Sequence, residues 1–128
     1  MIGLNIEEIL LMHYWIVSSL QEEPPRNPML NPEHVEAALA RPWRSAEGRD
    51  AFPDEYSKAA ALTESLISRH PFIDGNKRLG ITAGCVFLMI NGYSMDASDD
   101  DIYEAAMNVG EGKWKFPELK DWFERRVK

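Results

Sequence analysis

The sequence predicts an all-α fold: a single compact domain over residues 1–128, with about six helices, a buried central helix and a short flap. Three observations predict it. Apolar residues recur at helical spacing along most of the chain. Capping residues stand ahead of several of these stretches, at Asn5, Asn31 and Ser98. Prolines and glycines then interrupt the pattern where helices should stop.

The first helix opens at Asn5, with Glu8 three residues on to close a capping box. Ile6, Ile9, Leu10, His13, Ile16, Val17 and Leu20 form its apolar stripe. Pro24, Pro25 and Pro28 make the next segment a loop. Asn31, Pro32 and Glu33 read as N-cap, first helical position and first-turn acid of a short second helix. It should end near Ala40, because Pro42 disfavours helix at Arg41. Residues 42–53 have no helical period and leave room for a small hairpin or flap. Asp54 to Arg69 reads as a third helix that Pro71 stops. The fourth starts near Asn76 and is apolar almost all round from Leu79 to Ile90, so it should be the central one; Asn91 and Gly92 end it. Ser98 caps the fifth, with Asp99, Asp100 and Asp101 where the helix dipole favours anions. Gly110 and Gly112 close it, and Phe116 and Pro117 open a sixth carrying Leu119, Trp122 and Phe123.

Charge narrows the functions. Lys plus Arg number 14 and Asp plus Glu 21, a formal net charge of −7. No basic field covers the molecule, so binding to a nucleic-acid backbone or an anionic membrane is not expected. The longest apolar run is about ten residues, too short to cross a bilayer. Glu7 and Glu8 stand where a signal peptide would carry basic residues. The lone cysteine, Cys85, lies in an apolar run and reads as a buried, inert thiol. These features predict a cytoplasmic protein whose partner is another protein, or a nucleotide held with a cation.

One stretch concentrates reactive side chains: His70-Pro71-Phe72-Ile73-Asp74-Gly75-Asn76-Lys77-Arg78. Pro71 forces the chain out of the helix at His70, which leaves that imidazole free to point into a cleft. Phe72 should plug into the core and anchor the loop. Gly75 allows a tight turn and close backbone approach to a ligand. Asn76, Lys77 and Arg78 start a helix whose free N–H groups favour an anion, and two of them add formal cations. Asp74 is the acid that would hold Mg²⁺ beside bound phosphates. With His70 as general base, the set suits phosphoryl or nucleotidyl transfer.

Each part also has an ordinary reading. A histidine at a helix end is usually a surface or capping residue, Asp-Gly-Asn is a common turn, and Lys77 and Arg78 suit any solvated helix face. Spacing alone carries the stretch only as far as an anion site. Gly75 to Thr82 also imitates a P-loop, but no strand precedes it and Ile81 stands where the lysine belongs. His13 and His34 lack metal-ligand spacing; His13, on the first helix's apolar stripe, reads as a satisfied core or helix-packing histidine. Of the four tryptophans, Trp122 reads as core, while Trp43 lies in the irregular segment, which leaves it free to be exposed.

The same nine residues resemble the signature of the Fic/Doc proteins, and within them the Doc, or death-on-curing, branch. Ile6 to Ile16, Val35 to Pro42, Ala59 to Ser68 and Asn91-Gly92-Tyr93 also look like family sequence, so the resemblance covers nearly the whole chain. It implies the Fic fold and nucleotide-dependent modification of a target protein. It assigns His70 as the base that takes the target hydroxyl's proton and Asp74 as the Mg²⁺ ligand. Gly75 and Asn76 match the phosphate-cradling turn, Arg78 the phosphate-binding arginine, and Trp43 to Tyr56 the flap that positions the target chain. Lys77 and Ile81 stand where AMP-transferring members usually have glycine and often a second arginine; Doc-branch members have lysine at the first. The resemblance thus implies a kinase presenting the γ-phosphate of ATP, with Lys77 among its nucleotide-binding residues. Gly75 instead matches the AMP-transferring pattern, since the Doc prototype has alanine. The branch further implies a toxin with a separate antitoxin and elongation factor Tu as target. No inhibitory helix of the family's Ser/Thr-x-x-x-Glu-Gly/Asn pattern is found. The alternatives are AMP transfer on the same fold and a catalytically silent interaction module.

Overall fold

The computed structural model describes residues 1–20 and 31–128. Among these are six α-helices: α1 (Ile6–Leu20), α2 (Pro32–Ala40), α3 (Glu55–Arg69), α4 (Asn76–Ile90), α5 (Asp99–Gly110) and α6 (Phe116–Arg125). A 3₁₀ turn, Arg41–Trp43, and a two-stranded hairpin, β1 (Ser45–Ala46) and β2 (Arg49–Asp50), join α2 to α3. The loop expected at Pro24, Pro25 and Pro28 lies outside the described residues.

Local chemistry sets most helix starts. Asn5 and Glu8 exchange side-chain-to-backbone hydrogen bonds of 2.9 Å in both directions. Asn31 Oδ1 accepts from the Glu33 N–H, Asp54 Oδ1 from Ser57 N–H, and Ser98 and Asp101 form a second reciprocal box. Each cap satisfies N–H groups that no helix can satisfy internally, at about 1 kcal/mol apiece. The irregular stretch resolves into the hairpin, with Ser45 opposite Asp50 and Ala46 opposite Arg49. Its two-residue tip, Glu47 and Gly48, is left-handed at both positions (φ 55° and 78°), the turn whose twist matches paired strands.

Helices α3 and α4 pack against each other more extensively than any other pair, and around them lie α6, α2, α5 and α1. The fourth helix is central, as its composition predicts, but α3 shares that place. Ten of its residues are buried, among them the polar Ser57, Lys58, Thr63 and Ser65. Two glycines let the pair close. A Cβ on Gly80 would stand 2.7 Å from Ile67 Cγ1, and one on Gly84 would run into the Phe123 ring and lie 2.6 Å from Thr63 Oγ1. The Thr63 hydroxyl uses that proximity to donate to the Gly80 carbonyl at 2.7 Å.

Lys58 is 2% exposed, yet its charge is met. Nζ donates to the carbonyls of Pro42 and Phe52, lies 5.0 Å from the centre of the Trp43 ring, and is 3.9 Å from Asp50 Oδ2. It ties the base of the hairpin to the 3₁₀ turn. Trp43 is 41% exposed, edge-on to Phe87. Trp122 is core, and burial pushes the Cys85 thiol up to about 12, so no thiolate forms at neutral pH. No helix among the described residues is long and apolar enough to cross a membrane.

Gly84→Ala should destabilise the fold by about 1–3 kcal/mol, because the clash outweighs the better helix propensity of alanine. A urea unfolding midpoint checks this; an unchanged or higher midpoint would mean α3, α4 and α6 are less tightly packed than described.

Candidate active site

The α3–α4 turn carries two left-handed residues. His70 ends α3 at φ 46°, ψ 59°, and Gly75 precedes α4 at φ 79°. For a side chain like that of His70 this conformation costs about 1–2 kcal/mol, so the surroundings must impose it. They do so through the turn's carbonyls. His34 Nδ1 donates to Arg69 O at 2.8 Å, an orphan carbonyl at the end of α3. The Asn31 N–H reaches Pro71 O at 3.4 Å. Asn76 Nδ2 donates to Phe72 O at 2.9 Å while its Oδ1 accepts from the Phe72 N–H at 3.1 Å. His13 Nε2 donates to Asp74 O at 2.9 Å. In both histidine pairs the partner is a carbonyl, so the ring nitrogen must carry the proton.

Phe72 is the predicted anchor, 1% exposed and stacked on His13 with ring centres 3.7 Å apart. Fixed in this way, the turn presents His70, Ile73 and Asp74 outward, each exposed. Asn76 Nδ2 also faces His70 Nδ1 at 3.4 Å, a long contact that limits the ring's swing without setting its tautomer.

His70, Asp74, Lys77 and Arg78 line one side of a cleft of about 370 Å³, within the range of small-ligand sites. Gly75 caps α4 without a side-chain hydrogen bond, and no acid lies in the first turn of that helix. The partial positive charge of the N-terminus therefore faces the cleft without an anion of its own in that turn. The predicted residues thus come together, with different duties. The Asn76 side chain is spent on Phe72, so what it offers a ligand is its backbone N–H. Lys77 runs along the end of α5, where a Cβ on Gly110 would lie 2.8 Å from its Cδ and Cε and 2.9 Å from Nζ. A cation there also complements the negative end of α5.

The opposite wall was not anticipated. It comes from α5, through Tyr103, Ala106 and Met107. Tyr103 and Met107 are one helical turn apart and 58% and 41% exposed, an apolar strip of the kind that borders a nucleotide base or a partner chain. The available signal was that spacing on a helix whose first turn is acidic. His13 is buried as expected but only half satisfied: its Nδ1 has no hydrogen-bond partner among the described residues. His34, read only as a non-ligand, closes the end of α3.

Residues 3–88 match the Fic/DOC family. Over 75 residues the chain is 45% identical to Toxin Doc of Mycolicibacterium smegmatis, an alignment covering 58% of each protein. The chain therefore spans somewhat over half the length of the curated relative it matches.

Burial lowers the His13 pKa from its usual 6.5, outweighing the hydrogen bond to Asp74 and the nearby carboxylate that favour protonation. The unfolded chain thus takes up a proton near pH 6.5 that the folded protein refuses. The stability His13 contributes is complete above that pH and falls on acidification through the lowered folded value. Denaturant midpoints at pH 7.5 and 5.5 should differ more for the wild type than for His13→Gln. Equal differences would contradict a neutral, buried His13.

Proposed function

Because the chain belongs to the Fic/DOC family, we propose that it transfers the γ-phosphate of ATP to a hydroxyl group of a target protein, as the toxin of a cytoplasmic toxin–antitoxin pair. The observation that carries this is the convergence of His70, Asp74, Lys77 and Arg78 on one cleft at the start of a helix whose first turn carries no acid. The resemblance to Toxin Doc supports the toxin reading. Residues 1–128 then act as one catalytic domain.

His70 takes the proton from the target hydroxyl as its oxygen attacks the γ-phosphorus. The new O–P bond forms as the bond to the β–γ bridging oxygen breaks, and ADP leaves with that electron pair. Arg78 and the first N–H groups of α4 hold phosphate oxygens, so negative charge is met by donors already in position. The residues fit Mg²⁺ arriving with the nucleotide. Among the described residues no group of three His, Cys, Asp or Glu could hold a metal, so Asp74 would act with phosphates and water as the other ligands. That cation would neutralise charge on the phosphates.

Two positions favour γ-phosphate transfer over AMP transfer. Lys77 fills the rim of the cleft beside α5. Ile81, where AMP-transferring relatives often carry a second arginine, is wholly buried in the core, so no cation reaches the phosphates from there. AMP transfer remains the second reading because Gly75, at φ 79°, keeps the residue of that subclass. The exposed strands of the hairpin suit pairing with an extended target segment, elongation factor Tu being the proposed target. The antitoxin is proposed as a separate chain with a segment that folds on binding.

Expression should arrest bacterial growth, and His70→Ala should not. The rate of ATP-dependent target modification should fall about 10²–10⁴-fold in that variant. Asp74→Asn should raise the Mg²⁺ concentration needed for half-maximal rate. An unchanged rate in His70→Ala would overturn the mechanism.

A further inference from the structure

Resting on that reading, we propose that His13 is a positioning residue for the transfer: its Nε2–H and its ring together hold the Asp74–Gly75 turn in the form that aims Asp74 and the start of α4 into the cleft. His13 lies outside the nine-residue motif, 61 residues from Asp74, on α1.

Three contacts converge on it. Nε2 donates to Asp74 O at 2.9 Å, the carbonyl immediately before the left-handed Gly75. The ring stacks on Phe72 with the planes 12° apart. A Cβ on Gly75 would sit 3.6 Å from Nε2 and 3.7 Å from Cδ2, so the imidazole lies directly beneath the turn. The ring therefore meets Phe72 ahead of Asp74 and lies under Gly75 after it.

The other ring nitrogen carries a cost that packing alone does not require. Nδ1 is buried and has no partner among the described residues. Leaving a buried acceptor unsatisfied costs about 1–3 kcal/mol, which a phenylalanine or leucine in the same space would avoid. A side chain with that liability is best explained by what its other nitrogen does. Without the Nε2–H, Asp74 O loses this hydrogen bond and the turn is held less firmly. Displacement of about 1 Å at a reacting centre is enough to cost 10²-fold in rate.

Two variants separate the contacts. His13→Phe keeps the ring and loses the donor; His13→Gln keeps a donor and loses the ring. Each would be measured for kcat, KM for ATP, half-saturating Mg²⁺ and thermal midpoint, with hydrogen exchange of residues 70–78 followed alongside. His13→Phe should lower kcat about 10–100-fold and raise half-saturating Mg²⁺, as loss of a support behind a metal ligand does. Exchange should quicken in residues 70–78 and not in α6, and His13→Gln should recover part of the loss. If His13→Phe keeps wild-type kcat and exchange, the proposal is wrong. It is equally wrong if both variants lose activity only in proportion to a general loss of stability. The exchange readout needs no turnover, so it tests the role of His13 even if the wild type proves not to transfer phosphate.

Discussion

The turn between α3 and α4 must hold two left-handed residues five positions apart while leaving His70 and Asp74 exposed. At His70, which carries a Cβ, backbone of that kind relaxes unless its surroundings over-determine it. Here the carbonyls of Arg69, Pro71, Phe72 and Asp74 each receive a donor, from His34, Asn31, Asn76 and His13. The donors come from α2, its cap, α4 itself and α1. The helical frame therefore serves as a clamp. The closeness of α3 and α4, secured by Gly80, Gly84 and Thr63, fixes the two ends between which the turn is stretched.

The chemistry of the cleft follows from that rigidity. A helix N-terminus attracts an anion weakly when mobile and more usefully when its N–H groups are already aligned. Asn76 gives its side chain to the clamp and its backbone to the site. Lys77 leans on Gly110 at the end of α5 and Arg78 opens α4, so two cations flank the same opening. The protein carries a net charge of −7. Against that overall charge, Lys77 and Arg78 give this rim a local cationic character, which suits a nucleotide better than a polyanion.

Much of this was legible in the sequence. Helix starts at Asn5, Asn31 and Ser98 depend on a cap two or three residues away, and such local rules leave a local trace. The motif residues were legible because they are contiguous and Pro71 and Gly75 mark the turn. What was not legible depends on tertiary approach. No local rule says that His13 on α1 reaches Asp74, that His34 closes α3, or that Tyr103 and Met107 face the motif. Nor does Lys58, charged and in a helix, announce that two carbonyls and the Trp43 ring will let it be buried. The hairpin was expected only as an allowance within 42–53, because strands of two residues carry no alternation to read.

We propose that this clamped turn presents a γ-phosphate to a hydroxyl, with His70 as base. The most direct measurement uses ATP labelled at the α- or the γ-phosphate, Mg²⁺ and a bacterial lysate, with His70→Ala as control. A γ-phosphate transferase labels protein from the γ position alone, and His70→Ala loses that label. Label from the α position would show that Lys77 and Ile81 do not select the transferred group, and would contradict this proposal.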